Sequence, residues 1–326
     1  MTSVNAQDLV IRAAEPSDDA SALPMLRASL GKVDDPHYEA FLSWKHRENA
    51  FGTSPAWVAL HDGVVVGYRT FLRWEFLRDD GKILRAVRAV DTATDPAYRG
   101  LGIFRTLTLQ GVAELTLSGV GIIFNTPNDQ SRPGYLKMGW TVARRLPVGV
   151  MPRSPGALVS MATSKVPATL WSEPTEVGLD AAVALADDAV AAELLRHAPS
   201  AGVRTNRTPA YLVWRTAFGP LRYRLLLASE GDPAAGGVVF RLRRRGDALE
   251  AAILEQLVPD SLTGARLVRR VLNETGADYA IGLRTGRSAG MVPLPRQGPL
   301  LTTRPLAASP PSPREWALTL GDVELF

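Results

Sequence analysis

The chain has 326 residues, 46% of them hydrophobic and 21% charged, a balance that suits a soluble protein with room for two ordinary domains. Its 37 Lys and Arg against 33 Asp and Glu leave a formal charge of +4, too weak over this length to imply a nucleic-acid partner. With no cysteine, disulfides, thiolate nucleophiles and cysteine-based zinc sites are excluded, and a reducing cytoplasm is the expected location.

The short apolar stretch Leu9-Val10-Ile11 gives way to Arg12 and then to an acidic stretch from Glu15, and no run of about 18 uncharged apolar residues occurs, so neither an export signal nor a membrane span is expected. Leu9 to Arg12 reads as a strand, and Glu15-Pro16-Ser17-Asp18 as the start of a helix towards Leu30. A second helix spans His37 to Asn49. Residues 57–60 and 64–67 form a hairpin around His61-Asp62-Gly63, the second strand running on to Leu77, and Leu84 to Thr94 returns after Asp79-Asp80-Gly81. Gly100 to Ser118 has helical apolar spacing, Gly121 to Asn125 is a buried strand, and Ser131 to Met138 is a short helix ended by Gly139. A last strand closes a mixed α/β domain near Pro152.

Pro152 to Trp171 is Pro-, Ser- and Gly-containing and is expected to be a linker, which sets domains at 1–152 and 171–326 with 153–170 between them. Phe41-Leu42-Ser43-Trp44-Lys45 is echoed by Tyr211-Leu212-Val213-Trp214-Arg215, and strands at 223–228, 236–243 and 249–257, a helix at 262–273 and a strand at 279–283 repeat the earlier order. The second half therefore reads as a degenerate copy of the first. Leu294 to Pro313 is Pro-rich and expected to be irregular. Arg241, Arg243, Arg244 and Arg245 read most simply as a solvated hairpin end.

The sharpest local signal is Asp95-Pro96-Ala97-Tyr98-Arg99-Gly100-Leu101-Gly102-Ile103-Phe104, where a strand gives way to a helix. Gly100 and Gly102 let backbone N–H groups of a first helical turn close on an anion such as a pyrophosphate, although a bare Gly-x-Gly also arises from tight packing alone. The Walker pattern and the dinucleotide fingerprint are not met.

With Pro96, Arg99 and Gly102 in these places, the chain resembles the GNAT superfamily of acyl-CoA N-acyltransferases, whose signature is Arg/Gln-x-x-Gly-x-Gly/Ala. Phe104 stands where that signature has Gly or Ala. A second family element follows as Asn128-Asp129-Gln130-Ser131 and Tyr135-Leu136-Lys137-Met138-Gly139-Trp140, with Ser131 in place of Ala and Trp140 in place of Phe. The resemblance covers residues 9 to 150 and implies a GNAT fold, with two tandem GNAT-like domains. It implies acetyl-CoA as cosubstrate, held by Thr92, Ala93 and Thr94 along the pantetheine arm and by Arg99, Gly100, Leu101, Gly102, Ile103, Phe104, Arg105, Asn128 and Ser131. It assigns the general acid to Tyr135, a phenol whose ordinary pKa near 10 suits donation to a thiolate. It places Trp44, Tyr68, Arg69 and Trp74 around the acceptor, a small-molecule amine, with a shared packing role as the alternative for Trp44 because Trp214 echoes it, and gives the second half to acceptor shaping or a homo-oligomer interface. Asp91 is the best-placed carboxylate for a general base, with pairing to Arg88 or another cation as the structural alternative and Glu75 as runner-up. No histidine has metal-ligand spacing, so no metal is expected. Residues 259–264 lack the loop signature, so the second half should not bind CoA. A non-catalytic acyl-CoA sensor, a protein-amine acetyltransferase and a tRNA-dependent aminoacyl transferase are the competing functions.

Overall fold

The computed structural model describes residues 5–164, 166–284 and 290–324. The chain divides into two compact units, one of Met1–Phe76, Ile83–Arg144 and Leu301–Pro311, the other of Leu77–Lys82, Arg145–Leu300 and Ser312–Phe326.

In the first unit, β1 (Val10–Ala13) leads to α1 (Asp19–Ser29). The Asp18 carboxylate accepts from the Glu15 N–H at 2.7 Å and pairs with Arg12 at 2.6 Å, which fixes the turn ahead of that helix. α2 (Tyr38–His46) buries Tyr38, Phe41, Trp44 and Lys45. β2 (Ala56–His61) and β3 (Val64–Leu77) form the expected hairpin, its two-residue turn supplied by Asp62 and Gly63, both at positive φ. β4 (Ile83–Thr94), α3 (Ile103–Leu117), β5 (Ile122–Asn125), α4 (Arg132–Lys137) and β6 (Thr141–Arg145) follow.

The second unit begins with β7 (Val148–Pro152) and α5 (Pro155–Thr163), so the segment expected to be a linker carries a helix. β8 (Leu179–Asp180), α6 (Ala181–Leu185), α7 (Asp188–Leu195), β9 (Arg204–Thr205) and α8 (Pro209–Thr216) precede the strands β10 (Arg224–Ser229), β11 (Asp232–Arg245) and β12 (Ala248–Leu257). α9 (Ser261–Thr275), β13 (Tyr279–Leu283) and β14 (Val292–Pro293) complete the second unit, while β15 (Leu300–Pro305) belongs from Leu301 on to the first.

One sheet runs β1-β2-β3-β4-β5-β15-β6 and the other β14-β7-β13-β12-β11-β10-β8. β4 and β5 are parallel, as are β12 and β13, and in each sheet the strand after the parallel pair is antiparallel: β15 beside β5, β7 beside β13. Both neighbours come from the opposite half of the chain. Leu294–Pro313 is thus not irregular throughout: Thr302 to Pro305 pair with Ile122 to Asn125. The single strand expected after α4 is two strands in two sheets, which moves the boundary from Pro152 to Arg144. Arg241 is no solvated hairpin residue either; it is buried against Glu324 at 2.5 Å, with Arg243 on Glu250 at 2.5 Å.

The first core packs α3 and α4 on the sheet through Trp57, Val66, Phe71, Val87, Ile103, Leu107, Ile123, Tyr135 and Trp140. α3 crosses β3 at Gly67, where an added Cβ would lie 2.3 Å from Ile103 Cγ2. Among the described residues no helix is long and apolar enough to cross a membrane. Because Ile103 opens α3, Gly67→Ala must push on the start of that helix. The expected loss is about 1–3 kcal/mol of stability, read as a lower urea midpoint with unchanged slope; an unchanged midpoint would contradict the close approach.

Candidate active site

Two strands part to make the site. β4 and β5 pair only over Ala86–Arg88 against Ile122–Phe124, yet β4 continues to Thr94. Beyond the ladder Asp91 takes φ +39°, a left-handed conformation that costs a non-glycine residue about 1–2 kcal/mol. Two side chains hold it there, and a third orients one of them. Lys45 Nζ lies 2.6 Å and His46 Nε2 2.8 Å from Asp91 Oδ2, and His46 Nδ1 lies 3.0 Å from Ser54 Oγ. A carboxylate offers only acceptors, so a neutral His46 carries its proton on Nε2 and accepts from the Ser54 hydroxyl at Nδ1.

Burial opposes the charge on Asp91, but the Lys45 charge and the His46 and Lys45 hydrogen bonds outweigh it and hold the carboxyl well below the usual range. The expected base is thus a poor proton acceptor, and its cation partner is Lys45, not Arg88, which donates to Thr126 Oγ1 at 2.7 Å. Burial lowers both Lys45 and His46. Burial, with Asp91 adding to it, pushes the Tyr68 phenol up to about 12.

Past Asp91, the Thr92 hydroxyl donates to the Tyr68 carbonyl at 3.1 Å, and Ala93 and Thr94 lead into the glycine loop. Asp95 Oδ1 accepts from the Ala97 N–H at 2.8 Å, and the Tyr98 hydroxyl lies 2.9 Å from His61 Nδ1, pinning the short turn Pro96–Tyr98. Gly100 and Gly102 take φ +86° and +76° with nothing within 4 Å of an added Cβ. These glycines serve backbone conformation and leave open space above the loop, which excludes tight packing as their reason. Gly102 caps α3 without a side-chain hydrogen bond, so the N–H groups of Ile103, Phe104 and Arg105 in the first turn keep their free direction. The matching helix of the second unit differs. Asp260 caps α9, its carboxylate accepting from the Thr263 N–H at 2.8 Å, which places a negative charge where an anion would need to approach.

At the far side of the opening, Asn128 Oδ1 accepts from both the N–H and the hydroxyl of Ser131, at 2.8 and 2.9 Å, and starts α4. α4 buries Tyr135, whose hydroxyl accepts from Arg69 Nη1 at 2.9 Å. Phe104 packs edge-on to the Tyr135 ring at 5.5 Å, and an added Cβ at Gly134 would meet Phe104 at 3.3 Å. The bulky residue in the loop signature is therefore accommodated by a glycine on α4. Trp44 and Trp74 lie in the interior, 2% and 1% exposed, packed on Phe41 and on Phe51 and Phe124, so they do not line an open acceptor site. His46, Lys45 and Gly134 escaped the sequence reading because their partners Asp91 and Phe104 lie far along the chain, and Ser54 because it acts only through His46. Among the described residues no group of three metal-ligating side chains occurs.

Residues 10–143 match the model of the acetyltransferase (GNAT) domain. No curated protein matches the chain. A GCN5-related N-acetyltransferase from Anabaena variabilis is 15% identical over 91% of this chain and 73% of that one, with a TM-score of 0.63. A probable N-acyltransferase from Enterococcus faecalis is 13% identical over 92% and 73%, with a TM-score of 0.61, and a GCN5-related N-acetyltransferase from Kribbella flavida is 12% identical over 92% and 72%, also at 0.61. At these identities the likeness is one of fold. The match to the GNAT domain is confined to residues 10–143, the stretch that holds both sequence motifs.

His46 gives a pH test. Its folded pKa lies below the ordinary 6.5, so the unfolded chain takes up a proton that the folded one refuses, and stability falls as pH drops through that value. Urea midpoints between about pH 7.5 and 5 should decline in the wild type and decline less steeply in His46→Gln; equal slopes would mean that His46 is protonated alike in both states.

Proposed function

We propose that the chain is an N-acyltransferase that moves the acetyl group of acetyl-CoA to a primary amine of a small molecule. The observation that carries this reading is the uncapped, glycine-led start of α3, whose Phe104 packs on the ring of the buried Tyr135. The first-turn N–H groups and the helix dipole attract the pyrophosphate, with Arg99 and Arg105 adding charge. Thr92, Ala93 and Thr94, past the end of the β4–β5 ladder, offer strand backbone to the pantetheine amides. Asn128 and Ser131 border the same arm.

In the reaction the amine nitrogen attacks the thioester carbonyl and forms the C–N bond. The C–S bond breaks with its electron pair on sulfur, Tyr135 gives its hydroxyl proton to that sulfur, and the surplus proton on nitrogen leaves to water. Asp91, held by Lys45 and His46, keeps the bend in β4 in place of acting as base. The second unit, its α9 already capped by Asp260, shapes the protein without binding CoA.

Free thiol released from acetyl-CoA, followed with a panel of amino sugars, amino-acid derivatives and amine antibiotics, tests this. At least one amine should drive release, and Tyr135→Phe should lower kcat about 100-fold with little change in KM for acetyl-CoA. Equal kcat in Tyr135→Phe would remove the general acid, and a saturable acetyl-CoA complex that no amine turns over would favour a sensor.

A further inference from the structure

Arg69, on β3, has no exposed surface. Among the described residues no carboxylate pairs with it; three rings surround it instead, Phe71 at 4.5 Å, Tyr135 at 5.4 Å and Phe104 at 5.6 Å from its guanidinium carbon. Its Nη1 donates to the Tyr135 hydroxyl at 2.9 Å, while Nε and Nη2 are buried with no partner. The chain's second unit treats buried arginines otherwise. Arg207 has Glu255 at 2.9 Å, Arg215 has Glu324 at 3.4 Å and Arg241 has Glu324 at 2.5 Å. A buried cation without an anion is costly and persists only where something else uses it.

Resting on the acyl-transfer reading above, we infer that Arg69 is the positioning residue of Tyr135, aiming the proton it donates and becoming the counter-ion of the phenolate left behind. A guanidinium has donors and no acceptor, so the phenol oxygen must accept from it and the phenol's own hydrogen must point elsewhere. Phe104 at 83° and Trp140 at 56° flank the ring and leave it little freedom to turn. When the O–H bond breaks and the proton passes to the departing sulfur, the bonding electron pair stays on the phenol oxygen. The hydrogen bond to Nη1 then becomes an ion pair with a guanidinium that has no exposed surface. An interaction that is stronger after proton transfer than before it lowers the barrier and leaves substrate affinity alone. Water or the released amine proton restores the phenol.

The test compares wild type, Arg69→Met, Arg69→Lys, Tyr135→Phe and the Arg69→Met/Tyr135→Phe double variant by thiol release, with thermal melting as the check on folding. Arg69→Met should lose about 100-fold in kcat, with KM for acetyl-CoA and for the amine within about threefold; Arg69→Lys should recover part of that loss. In the Tyr135→Phe background Arg69→Met should change kcat less than about threefold. Equal losses in both backgrounds, or a loss confined to the amine KM, overturn the inference, the second because it would make Arg69 a site for a substrate anion. If Arg69→Met does not fold, Arg69→Lys carries the same kinetic comparison. A second arm needs no turnover. The tyrosine Raman doublet of Tyr135, taken as wild type minus Tyr135→Phe, should report an oxygen accepting from a strong donor, and that signature should vanish in Arg69→Met. An unchanged doublet sinks the Arg69 role, whereas wild type that acetylates no amine but shows the expected doublet sinks the acyl-transfer reading and leaves the aimed phenol standing.

Discussion

Where β4 and β5 stop pairing, after Arg88 and Phe124, each strand still has backbone to satisfy, and neither can do so with the other. On its other edge β5 pairs along its whole length, Ile122–Asn125, with antiparallel β15. β4 bends at Asp91, where Lys45 and His46 hold a left-handed residue in mid-strand, and then offers Thr92–Thr94 to whatever enters the gap. The loop and α3 follow from the end of β4, and α4 follows from the end of β5. Both halves of the proposed chemistry, the anion cradle and the acid, are therefore set by where one parallel ladder ends.

The charges sort in the same way. Lys45 and Asp91 compensate each other at the bend, so that pair is structural, and its breaking would leave a buried charge worth about 3–5 kcal/mol of stability. Arg69 has no such compensation among the described residues and sits against the one phenol that the reaction would ionise. An interior that supplies carboxylates to Arg207, Arg215 and Arg241 yet withholds one from Arg69 separates a cation used for folding from one held for chemistry.

Much of this was legible in the sequence where the physics is local. The Asp62-Gly63 hairpin, the apolar spacing of α3 and the glycines at 100 and 102 follow from neighbours a few residues away, and the family motifs placed Tyr135 on α4. Partners remote along the chain were not legible. Asn125 meets Thr302 from 177 positions away, Tyr135 meets Arg69 from 66, and Asp91 meets His46 from 45. The Pro-rich stretch around Leu300–Pro305 hid β15 because a strand at that position is fixed by its partner, not by its own composition. Arg241 looked solvated for the same reason: Glu324, 83 residues on, buries it. Trp74 went the other way, as an aromatic side chain that the core claimed before any substrate could, whereas the echo of Trp44 at Trp214 already pointed to packing.

The central claim is that the start of α3 holds the pyrophosphate of acetyl-CoA. Calorimetric titration of acetyl-CoA into wild type and into Gly102→Asp tests it most directly, since aspartate tolerates a left-handed backbone better than most residues and places a carboxylate in the cradle. Saturable binding by the wild type and none by a folded Gly102→Asp is the result this account predicts. Equal binding by both, or none by the wild type, would contradict it.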